Sequence, residues 1–387
     1  MTAQRMGEVD GLRACAMTLV VAQHCQIMPP GWVGVWVFYV ISGYVITKSL
    51  MAEDGRDIST GEKLKGFFRR RAVRIIPIYY LYILACSALM LAAGNPDYIL
   101  AVPYMLTFTY NWETIFQASG ATGSMVFGHL WSLSVEEQFY LIYPLMFLFL
   151  SPQTYRAALL IIVLMGPATR YVYLTILAES GLPPERYSWA VYHSSIAQFD
   201  SFAMGALLAN FEPGLRARAR TYLPALNVAA GVALAYLLFC LAWPQPEETS
   251  IIKAVARNVY PGELIGGGRE LFMYSAVNVI SLAVLVACVL RLRMVRWLAA
   301  GPLQSLGRVS YGGYLYHGLI LWLVDNYVMP VSFGDLEVAM RIPWFILVFA
   351  LTAAVAYPSY HLIELPLVRG ARERWQPRAE PVSQPAQ

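Results

Sequence analysis

Apolar runs long enough to cross a lipid bilayer recur from one end of the chain to the other, each closed by a short polar or basic stretch. Ten such runs fall near 10–28, 33–51, 72–93, 130–150, 157–178, 195–211, 222–243, 271–290, 309–328 and 342–366, and each predicts a membrane helix. The stretch 98–116 is broken by Pro103, Asn111 and Glu113 and reads instead as a re-entrant or surface segment. Basic residues concentrate in alternate loops. Lys63, Lys65, Arg69, Arg70, Arg71 and Arg74 follow the second run, Arg156 the fourth, Arg216, Arg218 and Arg220 the sixth, and Arg291, Arg293 and Arg296 the eighth. That alternation predicts an all-α polytopic bundle of about ten membrane helices with both termini cytoplasmic. Residues 1–368 form the expected membrane domain. Residues 369–387 form a cytoplasmic tail, basic at first and then Pro- and Gln-rich, with disorder expected from Gln376. The run Gly266-Gly267-Gly268 lacks the preceding strand and following Lys-Ser/Thr of a phosphate cradle, so 244–270 reads as an outer loop.

Polar residues inside these runs are the expensive positions. A charge in hydrocarbon costs several kcal/mol unless it faces a polar interior, so each one is a functional candidate. The first run carries Asp10, Arg13 and His24. Arg13 and His24 are separated by three turns plus roughly 20°, which puts both on one helix face about 16 Å apart along the axis. The third run opens on FFRRRAVRIIPIYY, where Arg71 and Arg74 are i,i+3 neighbours. They read either as positive-inside anchors or as a polyphosphate site, because the Arg fork matches phosphate oxygens. In the fourth run Ser132, Glu136 and Tyr140 share a face at i,i+4,i+8. Glu136 lies about 9 Å into that helix, beyond the first turn where a carboxylate merely caps, at a depth like that of His24. Glu137 points about 100° away, toward a different partner. In the ninth run Ser310, Tyr314 and His317 share a face, with His317 read as a hydrogen-bonded interior histidine. Asp200 sits near the outer end of the sixth run.

Composition narrows the class. Of 387 residues 58% are hydrophobic and only 13% charged, well under the charge content of a soluble enzyme. The net charge of +4 does not point to a nucleic-acid partner. The first run contains Arg13 and His24 and lacks a small-residue cleavage site, so it is expected to stay in the mature protein. Cys15, Cys25, Cys86, Cys240 and Cys288 all fall in apolar runs without zinc or redox spacing and read as small apolar fillers; no metal site is expected.

Together the segments resemble acyltransferase family 3, the integral-membrane O-acyltransferases of bacterial surface polysaccharides, Nod factors and some antibiotics. The marks are D-G-L-R at 10–13 with His24 beyond, G-V-x-x-F-Y-V-I-S-G-Y at 34–44, R-A-V-R at 71–74, S-x-x-x-E-x-x-x-Y at 132–140 and S-Y-x-x-Y-L-x-H at 310–317. The chain departs from the family pattern at Gln198, where an Arg often precedes the F-D segment. It also ends without the further span and extracytoplasmic SGNH hydrolase-like domain of some members, so a stand-alone membrane domain is expected. The resemblance implies an acyl-CoA donor, most often acetyl-CoA, taken from the cytoplasm, and no permanently bound cofactor. It implies a hydroxyl acceptor on a glycan or lipid-linked sugar at the outer side of the bacterial inner membrane. Arg13, Arg71 and Arg74 would dock the nucleotide phosphates. His24 would act as general base with Glu136 holding its tautomer, Ser132 or Tyr140 donating to the oxyanion, and an acyl-His24 intermediate as a less favoured route. Asp10, Glu137, Asp200, Ser310, Tyr314 and His317 would line the pore or the acceptor path. The alternatives are a small-molecule acceptor such as a macrolide or glycolipid, a proton-coupled transporter and a membrane scaffold. A homo-oligomer is compatible with all of them.

Overall fold

The computed structural model describes residues 6–55, 57–94, 96–117, 125–183, 186–242 and 268–375; the Gly266–Gly268 run, apart from Gly268, and the tail from Gln376 lie outside them. The described residues are helical throughout, with no strand. The helices are α1 (Gly7–His24), α2 (Val33–Asp54), α3 (Thr60–Ala92), α4 (Val102–Leu106), α5 (Tyr110–Phe116), α6 (Leu130–Phe149), α7 (Pro152–Leu164) and α8 (Gly166–Glu179). They continue as α9 (Tyr187–His193), α10 (Ser195–Ala217), α11 (Ala219–Ala242), α12 (Arg269–Val289), α13 (Gly301–Arg308), α14 (Ser310–Tyr327), α15 (Val338–Ser359) and α16 (Leu365–Trp375).

Every predicted apolar run falls on a helix or helix pair, and the chain is a multi-pass membrane protein. Among the described residues five helices are long and apolar enough to span by length and composition, or six if one bent pair counts as a single span. The run 157–178 is that pair: α7 and α8 meet at a 58° bend. Gly166-Pro167 opens α8, and a proline supplies no amide hydrogen to bond back across the junction. The segment 98–116 is built of short helices rather than a span. Gln138 on α6 ties it down: its Nε2 donates to the Phe108 carbonyl at 2.7 Å and to the Asn111 side-chain oxygen at 2.8 Å. Irregular backbone is tolerated at membrane depth only where protein supplies such partners.

Close approach of helices depends on missing side chains. Where α2 and α10 cross, a Cβ on Gly43 would lie 1.9 Å from the Phe202 carbonyl oxygen, and one on Gly205 would lie 1.9 Å from that of Val40. Small residues at such crossings are how membrane helices gain van der Waals contact without a hydrophobic driving force. At one end of the same pair Glu212 gathers Lys48 Nζ (3.0 Å), Arg216 Nη2 (2.8 Å) and Tyr44 Oη (2.8 Å).

Helix directions near the polar centre follow from side-chain pairs. Arg13 meets Ser310 and His24 meets His317, so α1 and α14 run the same way. Ser132 bonds Tyr314 while His129, one turn earlier, bonds the Leu315 carbonyl, so α6 runs opposite to both. The three helices therefore carry their polar stripes past one another in register.

Candidate active site

Two polar groups line up along α14, one at each end of its stripe. At the first, a cavity is lined by Arg13, Arg71, Arg74, Glu136 and Glu137, with the hydroxyl-bearing Ser42, Ser132, Tyr140, Ser310 and Tyr314 among its walls. Its charged side chains are all half-buried. Three guanidinium groups face two carboxylates, so the lining is formally positive by one charge. Arg13 is fixed from the α14 side by Ser310, its Nε donating to Oγ at 3.1 Å, and its guanidinium carbon lies 5.9 Å from the Phe38 ring centroid. The Arg71 guanidinium stacks over Tyr140 at 4.8 Å and Phe67 at 6.0 Å. These aromatic contacts hold long, rotamer-rich side chains in place before any ligand arrives. Arg forks of this kind can match the oxygens of an anionic group such as a phosphate.

Glu136 accepts hydrogen bonds from Ser42 and from Tyr140. This corrects the expectation that it holds His24. The partner of His24 is instead His317: His24 Nδ1 and His317 Nε2 lie 2.9 Å apart and the rings stack at 4.9 Å. A like depth counted from helix ends does not fix how α1 and α6 overlap, and the overlap puts Glu136 beside the arginines. Glu137, expected on another face with another partner, lines the same cavity.

At the far end of the stripe three imidazoles gather. The His317 and His129 rings lie 4.6 Å apart, and His317 is almost wholly buried. His129 was not singled out in the sequence, although it lies one turn before Ser132 and extends the Ser132, Glu136, Tyr140 stripe by i,i+3. Its approach to α14 needs Gly318, where a Cβ would sit 2.7 Å from His129 Cε1 and 2.6 Å from the Met125 carbonyl oxygen. Tyr314 separates cavity from imidazoles. Its hydroxyl is 2.5 Å from Ser132 Oγ and 3.2 Å from the His129 carbonyl, and its ring is 5.5 Å from that of His317. His24 itself is half-buried and lies outside the cavity lining.

Of the six residues expected to line the path, Glu137, Ser310 and Tyr314 line the cavity, His317 lies in the imidazole group, and Asp10 and Asp200 sit elsewhere. Asp200 is buried in an ion pair with Arg170, which also donates to the carbonyls of Ala197 and Leu271 at 3.0 Å and to Ser275 Oγ at 2.8 Å. That network ties α8, α10 and α12 together, the buried Arg170 charge meeting one carboxylate oxygen and three neutral acceptors. Asp10 is buried near the start of α1, outside the cavity lining. Gln198, where the family pattern often has Arg, accepts from Trp36 Nε1 at 3.0 Å and donates to the Val191 carbonyl at 2.9 Å, so its place here is structural. Among the described residues no group of three or more His, Cys, Asp or Glu side chains is placed to hold a metal ion, and all five cysteines are free.

A family model described as an acyltransferase domain matches residues 6–361. The chain is 29% identical over 378 residues to a putative peptidoglycan O-acetyltransferase, YrhL, of Bacillus subtilis, with 93% of this chain and 54% of that protein covered. It is 30% identical over 377 residues to the peptidoglycan O-acetyltransferase OatA of Listeria monocytogenes (93% and 55% covered), and 26% identical over 377 residues to the O-acetyltransferase OatA of Staphylococcus aureus (93% and 56% covered). It thus spans about half the length of these relatives. No solved structure matches the chain. The family model runs across the arginine cavity and all three imidazoles, and the chain belongs to acyltransferase family 3.

Proposed function

We propose that the protein is a membrane O-acetyltransferase that takes acetyl-CoA at the cytoplasmic face of the inner membrane and acetylates a hydroxyl of a surface glycan or lipid-linked sugar at the outer face. The observation that carries this reading is one cavity running from three arginines to the Ser132–Tyr314 pair, with His24 and His317 one ring beyond. The names of the relatives, which describe peptidoglycan acetylation in those proteins, point to a cell-wall glycan as the acceptor class.

In this reading the CoA phosphates dock on Arg13, Arg71 and Arg74, and the pantetheine arm extends along the α14 stripe past Tyr314. His24 removes the acceptor proton as the sugar oxygen attacks the thioester carbon. The new ester C–O bond forms, the C–S bond breaks, and the proton passes to the departing thiolate, so CoA leaves as the thiol. Ser132 and Tyr314 are the hydroxyls nearest the imidazoles and would donate to the oxyanion. Tyr140, expected to share that task, is engaged with Glu136 among the arginines and belongs with donor binding instead. Comparative mass spectrometry of surface glycans from cells with and without the protein tests the function. Loss of O-acetyl groups from one glycan is the expected result; unchanged glycans and lipids would sink it.

The route across the bilayer needs ten spans with both termini inside, which the alternating basic loops support. Single cysteines at the exposed positions Ser59 and Ser332, in a cysteine-free background, check it with an impermeant thiol reagent. Position 332 should label on intact cells and position 59 only after permeabilisation. The reverse pattern would rule out donor entry from the cytoplasm.

A further inference from the structure

Donor docking accounts for the arginines but leaves the three-imidazole cluster unexplained. His317 Nδ1 lies 2.5 Å from the Tyr314 carbonyl oxygen, and His129 Nε2 lies 3.0 Å from the Leu315 carbonyl oxygen. A carbonyl can only accept, so His317 carries its proton on Nδ1 and His129 on Nε2. A neutral His317 then offers a lone pair at Nε2. The 2.9 Å contact between that atom and His24 Nδ1 is a hydrogen bond only if His24 donates from Nδ1. His24 is thereby left with its lone pair on Nε2.

We propose that His317 is a positioning residue that holds His24 in the Nδ1-protonated tautomer and aims Nε2 at the acceptor hydroxyl. This rests on His24 being the general base. Two more features serve the arrangement. The His129 ring packs against His317 with centroids 4.6 Å apart, and its own Nε2–H is tied to the Leu315 carbonyl of α14. The remaining His129 nitrogen, Nδ1, is buried with no hydrogen-bond partner, so His129 leaves the His317 lone pair to His24. A chain of two imidazoles ending on a backbone carbonyl thus does what a carboxylate does behind a catalytic histidine elsewhere. It fixes the tautomer and shares the charge when Nε2 takes up a proton. Glu136, the carboxylate expected behind His24, is bonded to Ser42 and Tyr140, and His317 occupies the position beside His24 Nδ1.

The test combines a spectrum with two substitutions. Nitrogen NMR of ¹⁵N-histidine-labelled protein in lipid nanodiscs, with His24 assigned by difference from His24→Ala, should show Nδ1 protonated and Nε2 bare in the wild type. His317→Leu removes the side-chain acceptor and should shift the tautomer balance at His24, whose ring also bonds the Val20 backbone, toward the Nε2-protonated form. It should also cut glycan O-acetylation per inserted molecule by about 10- to 100-fold while leaving acetyl-CoA affinity unchanged. His317→Gln presents an amide oxygen to His24 Nδ1–H and should recover most of that loss. A wild-type His24 protonated on Nε2 overturns the proposal without needing any variant to fold. Equal impairment of the Leu and Gln variants, or full activity of His317→Leu, overturns it as well. If His24→Ala is inactive but His317→Leu is normal, only the positioning role is lost. If His24→Ala is active, the general-base reading fails first.

Discussion

His24→Ala should insert at the wild-type level, bind acetyl-CoA with wild-type affinity, and lose transfer by about 10² to 10⁴-fold, the usual cost of removing a general base. The side chain is half-buried and makes its hydrogen bond to His317, beyond the donor cavity. Binding and catalysis are therefore expected to separate cleanly at this position. A purified, well-folded variant that transfers acetyl groups at a near-normal rate would remove His24 from the mechanism, whatever happens to the glycan.

The second large effect is on the donor. Arg71→Gln combined with Arg74→Gln removes two of the three guanidinium groups of the cavity while keeping uncharged, hydrogen-bonding side chains. Each charge-assisted bond to a phosphate is worth about 1.5–3 kcal/mol, so acetyl-CoA affinity should fall by about 10²-fold or more. Calorimetric titration of the purified proteins reads this directly. Raising the salt concentration should weaken the wild type more steeply than the variant, because the lost term is the screened one. Lys at both positions should rescue only in part, since an ammonium lacks the bidentate fork and Arg71 also stacks on Tyr140 and Phe67. Equal affinities for wild type and double variant would return both residues to the role of membrane-surface anchors.

The placement of Glu136 links the two effects. Its carboxylate lies among the cavity arginines and accepts from Ser42 and Tyr140. It offsets their positive charge and holds Tyr140, over which the Arg71 guanidinium stacks. In the proposed reading it acts in donor binding and not behind His24.

Much of this protein was legible in its sequence because the relevant physics is local. Membrane-length apolar runs mark where helices form, since hydrocarbon leaves the backbone no other partner than itself. The helical period places Arg13 with His24, Arg71 with Arg74, and Ser310 with Tyr314 and His317, and in the structure Arg13 and His24 both reach α14. Gly166-Pro167 carries a break that a hydropathy window averages away. What only the tertiary structure decided is which stripe faces which. A helix period sets the face of a residue but not the neighbour opposite, and an equal depth in the membrane does not bring two side chains together. His24 and His317 are 293 positions apart and Arg170 and Asp200 belong to different helices, so no local spacing pairs them. The pairing is set by helix packing at crossings such as Gly43 with Gly205 and at Gly318 beside His129, where the absence of a side chain fixes how closely and in what register the helices meet.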